Sequence, residues 1–200
     1  MVSNKIGYAC INMALSYPTK YGNKPRGTKP ITTNRSMIRR TFDDKGVDYA
    51  SELILQNVKD LNQIISWNVL NGYDFYRMSS DITPWKTEYE WDDLKDIDEI
   101  RRWLHSAGTM ATTHGVRLTT HPGPFNVLVS PHGDVMDMMG LSRTPYNKIN
   151  IHLGGVYGDK ESAMDRFCNN FYKLPESVQT RLTVENDDKA SMYSVKDLYD

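Results

Sequence analysis

KINIHLGGVYGDKESAMDRFCNNFYKLPESVQTRLTVENDD, residues 148–188, decides the fold. Its opening, 148–153 (KINIHL), reads as a strand. A glycine-containing turn follows. Residues 160–174 then place Ala163, Phe167 and Phe171 on one helical face, and Pro175 ends the helix. Residues 181–185 (RLTVE) read as a second strand. Repeated strand–helix–strand units imply parallel strands joined by right-handed crossovers.

The same alternation extends upstream. Residues 5–12 (KIGYACIN) form a short apolar candidate strand. Residues 48–71 carry Leu53, Ile54, Val58, Leu61, Ile64, Ile65 and Val69 at helical spacing, with Gly72 placed to cap the end. A second strand is expected at 73–78 (YDFYRM) and a second helix at 91–113, with Leu94, Ile97, Ile100, Leu104 and Ala107 inward. A third strand follows at 116–120, and 195–199 begins one more helix. Both a Rossmann sheet and a (β/α)8 barrel fit this order. No G-x-G-x-x-G follows the first strand, which counts against the first. A whole barrel needs about 250 residues, whereas this chain supplies five units in 200. The expectation is an α/β, TIM-barrel-like parallel β/α repeat in one domain, 1–200, incomplete at about five of eight units.

Composition narrows the function classes. With 39% hydrophobic and 24% charged residues, the chain can build a core. The formal net charge of −1 excludes a uniformly basic nucleic-acid coat. No apolar run approaches the length of a bilayer span, and the N-terminus lacks the apolar stretch of a signal peptide. Cys10 and Cys168 are too few for a disulfide framework. No membrane partner and a cytoplasmic location are expected.

Charge is unevenly placed. Residues 13–46 hold Lys20, Lys24, Arg26, Lys29, Arg35, Arg39, Arg40 and Lys45 against Asp43 and Asp44, a net +6. Pro18, Gly22, Pro25, Gly27 and Pro30 make most of this segment read as loop. With Tyr17 and Tyr21 it could follow a phosphate backbone, or it could be a solvated loop without a partner. The acidic run Glu88–Glu99 reads as a solvated helix start rather than a metal site.

Polar residues collect where strands end. Asn12 ends the first; Ser79, Ser80 and Asp81 follow the second; His121 follows the third; His152 lies at the fourth; Glu185, Asn186, Asp187 and Asp188 follow the fifth. In a parallel barrel these ends share one mouth, where catalysis takes place. Two imidazoles and carboxylates from neighbouring strands have the composition of a metal site, with a purely structural polar layer as the alternative. His105, His114 and His132 are taken as structural. The glycines of GGVYGDK precede a helix start and could accept a phosphate or simply make a tight turn.

GYACIN at 7–12, NVKDLNQIISWN at 57–68, FYRMSSDITP at 75–84, RLTTHPGPF at 117–125, NIHLGGVYGDKESAMDRF at 150–167 and RLTVENDD at 181–188 together resemble the UV damage endonuclease family. The resemblance implies a TIM barrel that nicks damaged double-stranded DNA 5′ to UV photoproducts and, often, at abasic sites. It implies divalent metal ions, manganese first, with magnesium or zinc as alternatives. His121, His152 and Glu185 match metal positions, with Glu185 able to bridge two ions and serve catalysis. Asp81 stands where some members carry a histidine ligand. Tyr8 and Asn12 match a strand-one pair near the metals and the phosphate, Asn12 orienting a water or phosphate oxygen and Tyr8 contacting the backbone. Pro124 and Phe125 stand where some members insert Gln-Tyr at the lesion. The segment bearing Lys24, Arg26, Arg39 and Arg40 would lie along the DNA. Two departures stand out. Residues 131–146 offer only a short helix around 135–141, which would expose one face of strands three and four. The family's later strands, with further ligands, are not matched by any part of this chain. The alternatives are therefore a catalytically incomplete fragment or subunit that binds damaged DNA, completed by a second chain, or a xylose isomerase-like sugar isomerase.

Overall fold

The computed structural model describes residues 5–122, 130–156, 158–189 and 191–199. Five strands, β1 (Gly7–Ala9), β2 (Phe75–Met78), β3 (Arg117–Thr120), β4 (Ile149–His152) and β5 (Leu182–Glu185), form one sheet in the order β1-β2-β3-β4-β5. Every pairing is parallel. Helices α1 (Met13–Ser16), α2 (Arg39–Leu70), α3 (Ile97–Thr113), α4 (Ser130–Met138), α5 (Lys160–Phe171), α6 (Glu176–Gln179) and α7 (Val195–Tyr199), with three short 3-10 turns, complete the described elements. Sequential strand order with helical crossovers is the winding of a (β/α) barrel, here over five strands.

Period-two alternation sorts the strand residues onto two faces. Tyr76, Met78, Leu118 and Ile149 are buried on the helix-covered face. They meet Ile54, Val58, Leu61, Ile64 and Ile65 of α2 and Ile100, Leu104, Ala107 and Ala111 of α3 in one core cluster. Phe75, Arg77, Asn150 and His152 alternate to the other face.

α2 begins nine residues earlier than the apolar periodicity places it. Its first turns, 39–45, lie before a break at Gly46, whose φ of 65° no continuing helix residue adopts. Its C-terminus follows the sequence expectation. Gly72 takes φ 75°, and the Tyr73 N–H donates to the Asn68 carbonyl at 2.9 Å, the closing bond of a glycine C-cap. The expected 91–113 helix is divided into a 3-10 turn, Trp91–Asp93, and α3. Glu90 and Asp93 form a capping box on that turn, and Asp98 and Glu99 sit in the first turn of α3, so several acids of the cluster mark helix starts.

The crossover between β3 and β4 corrects one expectation. α4 begins at Ser130, earlier than the sequence suggests, and the short helix still covers the strands. Val135, Met136, Met139 and Leu141 are buried, as are Leu118, Thr120 and Ile149 beneath them. Close approach makes this possible: a Cβ on Gly108 of α3 would stand 1.8 Å from the Met139 carbonyl oxygen. A nine-residue helix suffices because Gly108 puts no side chain where the chain just after α4 meets α3.

His132 is structural, as read from the sequence, but it lies on α4 rather than in a loop. It is buried, with Nδ1 3.0 Å from the Thr120 hydroxyl. Burial pushes its imidazolium down to about 4 from an ordinary 6.5. The folded value lies below the unfolded one, so the stability linked to the neutral ring is full above about pH 6.5. It is lost as the pH falls toward 4. The predicted loss between pH 7 and pH 4 is about 3 kcal/mol. Urea unfolding across that range is expected to show it, and His132→Asn is expected to flatten it.

Candidate metal centre

Three strand ends bring their polar residues to one place. His121 follows β3 directly, and His152 and Glu185 close β4 and β5 as in-register neighbours. His121 Nε2 stands 2.6 Å from Glu185 Oε1, and His152 Nε2 stands 2.9 Å from the same oxygen. All three ligand atoms lie within 4.8 Å of one another. The rings meet edge to face with centroids 5.5 Å apart.

What surrounds these atoms determines their chemistry. His121 Nδ1 lies 3.1 Å from the Pro122 carbonyl, which can only accept. His152 Nδ1 lies 3.2 Å from Asp187 Oδ1, another acceptor. Each imidazole thus has an acceptor at both nitrogens. A neutral ring has one N–H and cannot satisfy both. Burial pushes the Glu185 carboxyl up, but hydrogen bonds from His121 and Asn150 and the charges of both imidazoles outweigh it and hold the group below its ordinary value. Glu185 is therefore an ionised acceptor. A divalent cation held by both Nε2 lone pairs and the carboxylate would leave each ring's single N–H for its Nδ1 acceptor. Two imidazoles and a carboxylate are a donor set that zinc and manganese accept. The residues present fit such an ion.

A supporting layer holds the set. Asn150, buried and one alternation below His152, donates to Glu185 Oε2. Its own oxygen accepts from the Thr183 hydroxyl at 2.7 Å. The backbone N–H of Asp187 donates to the Tyr193 carbonyl at 2.8 Å, and Tyr193 is buried. Asn150 and Thr183 escaped sequence reasoning. Their signal was period two: they stand two residues before His152 and Glu185.

The remaining expected site residues lie elsewhere. Asp81 is exposed on a 3-10 turn, Ser80–Ile82, fixed by its backbone N–H to the Ser79 hydroxyl at 3.1 Å. It lines a cleft of about 300 Å³ with Ser36, Thr83, Lys86 and His132, and it is not part of the three-residue cluster. Tyr8 pairs in register with buried Tyr76 and so shares the helix-covered face. Its hydroxyl donates to Asn68 Oδ1 of α2 at 2.5 Å and accepts from Asn12 Nδ2 at 2.6 Å. Asn12 is buried, and its Oδ1 caps α1 through the Leu15 N–H at 3.1 Å. Both ends of that amide are engaged in folding. Pro124 and Phe125 lie outside the described residues.

The basic segment divides into two kinds of residue. Arg35 pairs at 2.7 Å with Asp60, whose side chain is 2% exposed, and donates to the Thr32 and Pro30 carbonyls. It anchors the loop. Arg39 opens α2, pairs with Asp43 at 2.9 Å and Glu88 at 3.1 Å, and lies over the Phe42 and Trp85 rings. Lys24, Arg26 and Arg40 are exposed, with no ion pair among the described residues. The N-terminus of α5 is closed by its own Asp159, which accepts from the Glu161 and Ser162 N–H groups, so the glycine turn before it serves the fold. No helix among the described residues is long and apolar enough to cross a membrane.

Comparison with known proteins agrees with the earlier resemblance. The model of the family UV-endonuclease UvdE matches residues 4–200. A UV DNA damage endonuclease of Clostridium perfringens is 32% identical over 209 residues, covering 98% of this chain and 46% of that protein. A UV-damage endonuclease of Schizosaccharomyces pombe is 31% identical over 211 residues, covering 97% of this chain and 33% of that one. The crystal structure of SacUVDE superposes with a TM-score of 0.73 at 27% identity, over 96% of this chain and 63% of the other. The chain thus spans less than two thirds of each of these relatives.

Proposed function

The chain belongs to the UV-endonuclease UvdE family, and on that premise we propose that it carries part of the active site of a metal-dependent endonuclease for UV-damaged duplex DNA, nicking 5′ to photoproducts and at abasic sites. The observation that supports this best is the convergence of His121 Nε2, His152 Nε2 and Glu185 Oε1, with a second acceptor facing Nδ1 of each ring. Those three residues would hold divalent ions, manganese first, with Glu185 shared between two of them. Bound there, such an ion supplies a Lewis acid for a phosphoryl oxygen and lowers the pKa of a water.

The chain's own residues do the rest. The Pro122 carbonyl and Asp187 orient the two rings, and Asn150 leaves one Glu185 oxygen free for the ion. The exposed cations Lys20, Lys24, Arg26 and Arg40 follow the phosphate backbone, which makes binding salt-dependent. Arg39 contributes less, because Asp43 and Glu88 already offset its charge.

A second reading has its own observation. A (β/α)8 mouth needs eight strands, and among the described residues the sheet has five, with β1 and β5 each pairing on one side only. In that reading a second chain pairs along those edges, and this chain alone recognises damaged DNA without cutting it.

One experiment separates the two. The chain is incubated with manganese and supercoiled plasmid, UV-irradiated or not, with a parallel polarisation measurement on a damaged oligonucleotide. The first reading expects open circles from irradiated plasmid only, abolished by EDTA. Binding without nicking selects the second. Neither binding nor nicking by folded chain overturns both.

A further inference from the structure

Resting on that reading of His121, His152 and Glu185, we propose that Asp187 is the positioning residue for His152. It would direct the ring's proton to Nδ1 and so reserve Nε2 for the ion. The two imidazoles face the same problem and meet it differently. His121 has a backbone carbonyl at Nδ1, supplied by the next residue in the chain. His152 has no comparable neighbour; its Nδ1 is buried and has no other partner among the described residues than Asp187 Oδ1 at 3.2 Å. A histidine ligand is normally held by an acceptor on its other nitrogen, and a carboxylate there also makes the ring a stronger donor.

Asp187 is built to serve. Its backbone is fixed by the Tyr193 carbonyl, and Tyr193 is 1% exposed. Its side chain is 17% exposed, and its second oxygen is buried without a hydrogen-bond partner. A half-buried carboxylate with one orphan oxygen is costly unless its other oxygen meets a donor, and the His152 Nδ1 is the group that oxygen faces. The 3.2 Å contact falls short of ideal hydrogen-bond geometry. Such contacts tighten when the ring takes up its working load. Asp188, the next residue, is exposed and, among the described residues, forms no ion pair with His152.

The test uses the whole chain with metal ions alone. Manganese affinity is read from the loss of the free-ion EPR signal for wild type, Asp187→Ala, Asp187→Asn and Asp188→Ala. Asp187→Ala is expected to bind about 10–100-fold more weakly. Asp187→Asn, which keeps an acceptor oxygen, should lose less, and Asp188→Ala, which loses the same charge nearby, should match wild type. Imidazole 15N NMR of the zinc-loaded wild type should show His152 metallated at Nε2 with a downfield Nδ1 proton, displaced upfield in Asp187→Ala. Equal affinities for wild type and Asp187→Ala overturn the inference. So does metal on His152 Nδ1 in the wild type, a result that needs no variant to fold. A wild type that binds no manganese overturns the metal centre itself, which is a distinct outcome.

Discussion

Glu185→Gln is expected to lower manganese-dependent nicking of UV-damaged plasmid by about 10³-fold or more while leaving the metal-free fold as stable as before, or more so. The two effects separate because the same oxygen serves both. Oε1 is the atom both Nε2 groups address, at 2.6 and 2.9 Å. Without a cation those contacts set an ionised acceptor against rings that already have acceptors on their far sides. Glutamine has the same shape. Its oxygen can still accept from Asn150, and its amide N–H groups then point at the imidazoles as donors. The metal-free site gains hydrogen bonds that it lacked and loses the charge that a divalent ion requires. Binding sites commonly hold such arrangements at a cost in stability. Nicking rate, manganese affinity and the urea midpoint of metal-free protein check the three parts. Undiminished nicking removes Glu185 from the site; a lowered midpoint with unchanged nicking makes it structural.

The site's skeleton was legible because it follows the strand period. His121, His152 and Glu185 stand at the ends of apolar runs, and parallel pairing brings the ends of neighbouring strands together whatever the loops do. Residues that depend on loop geometry were not legible. Asp81 follows its strand as His121 does, but a Ser79-capped 3-10 turn carries it into a separate cleft. Tyr8 lies in the right strand, and its three-residue length gave too little alternation to tell which face it takes. The answer came from Asn68, a buried polar residue on α2 that receives its hydroxyl. Basic composition could not separate Arg35, held by buried Asp60, from Lys24 and Arg26, which are exposed.

The element boundaries follow the same division. Apolar periodicity located the buried middle of α2 and missed its first turns, because 39–45 carry mostly polar residues and a glycine break separates them from the rest. The β3–β4 crossover looked too short to cover its strands because the sequence does not announce that Gly108 lets the chain after α4 approach α3 within backbone contact. In each case a single side chain, or its absence, changes the answer that the pattern gives.

Arg181 joins three segments of the fold through one buried side chain. An arginine opening a strand reads as surface, yet Arg181 is 0% exposed. Its guanidinium donates to the carbonyls of Leu141 at 2.7 Å, Ser142 at 3.1 Å and Ser177 at 2.8 Å, and pairs with Asp137 at 2.8 Å. One side chain thus ties the chain after α4, the helix α6 and the start of β5. Arg181→Met keeps the length and apolar stem and removes every donor. Two buried carbonyls and a partly buried one lose their partner, and the predicted loss is about 3–5 kcal/mol of unfolding free energy, read as a lower urea midpoint at unchanged slope. Arg181→Lys, with one ammonium for several acceptors, should fall between. Arg143→Ala removes the exposed partner of the same Asp137 and should move the midpoint little. The pH dependence has a definite sign. Burial pushes the Asp137 carboxyl up, but hydrogen bonds and charge from Arg143 and Arg181 outweigh it and hold the group below its ordinary 3.8. A folded value below the unfolded one gives stability that is complete above about pH 4 and lost as pH falls through the folded value. Arg181→Met should therefore be less sensitive to acid than wild type in that window, though less stable throughout. A midpoint within error of wild type would mean the three carbonyls find other partners, and the strand–crossover junction would then rest on packing alone.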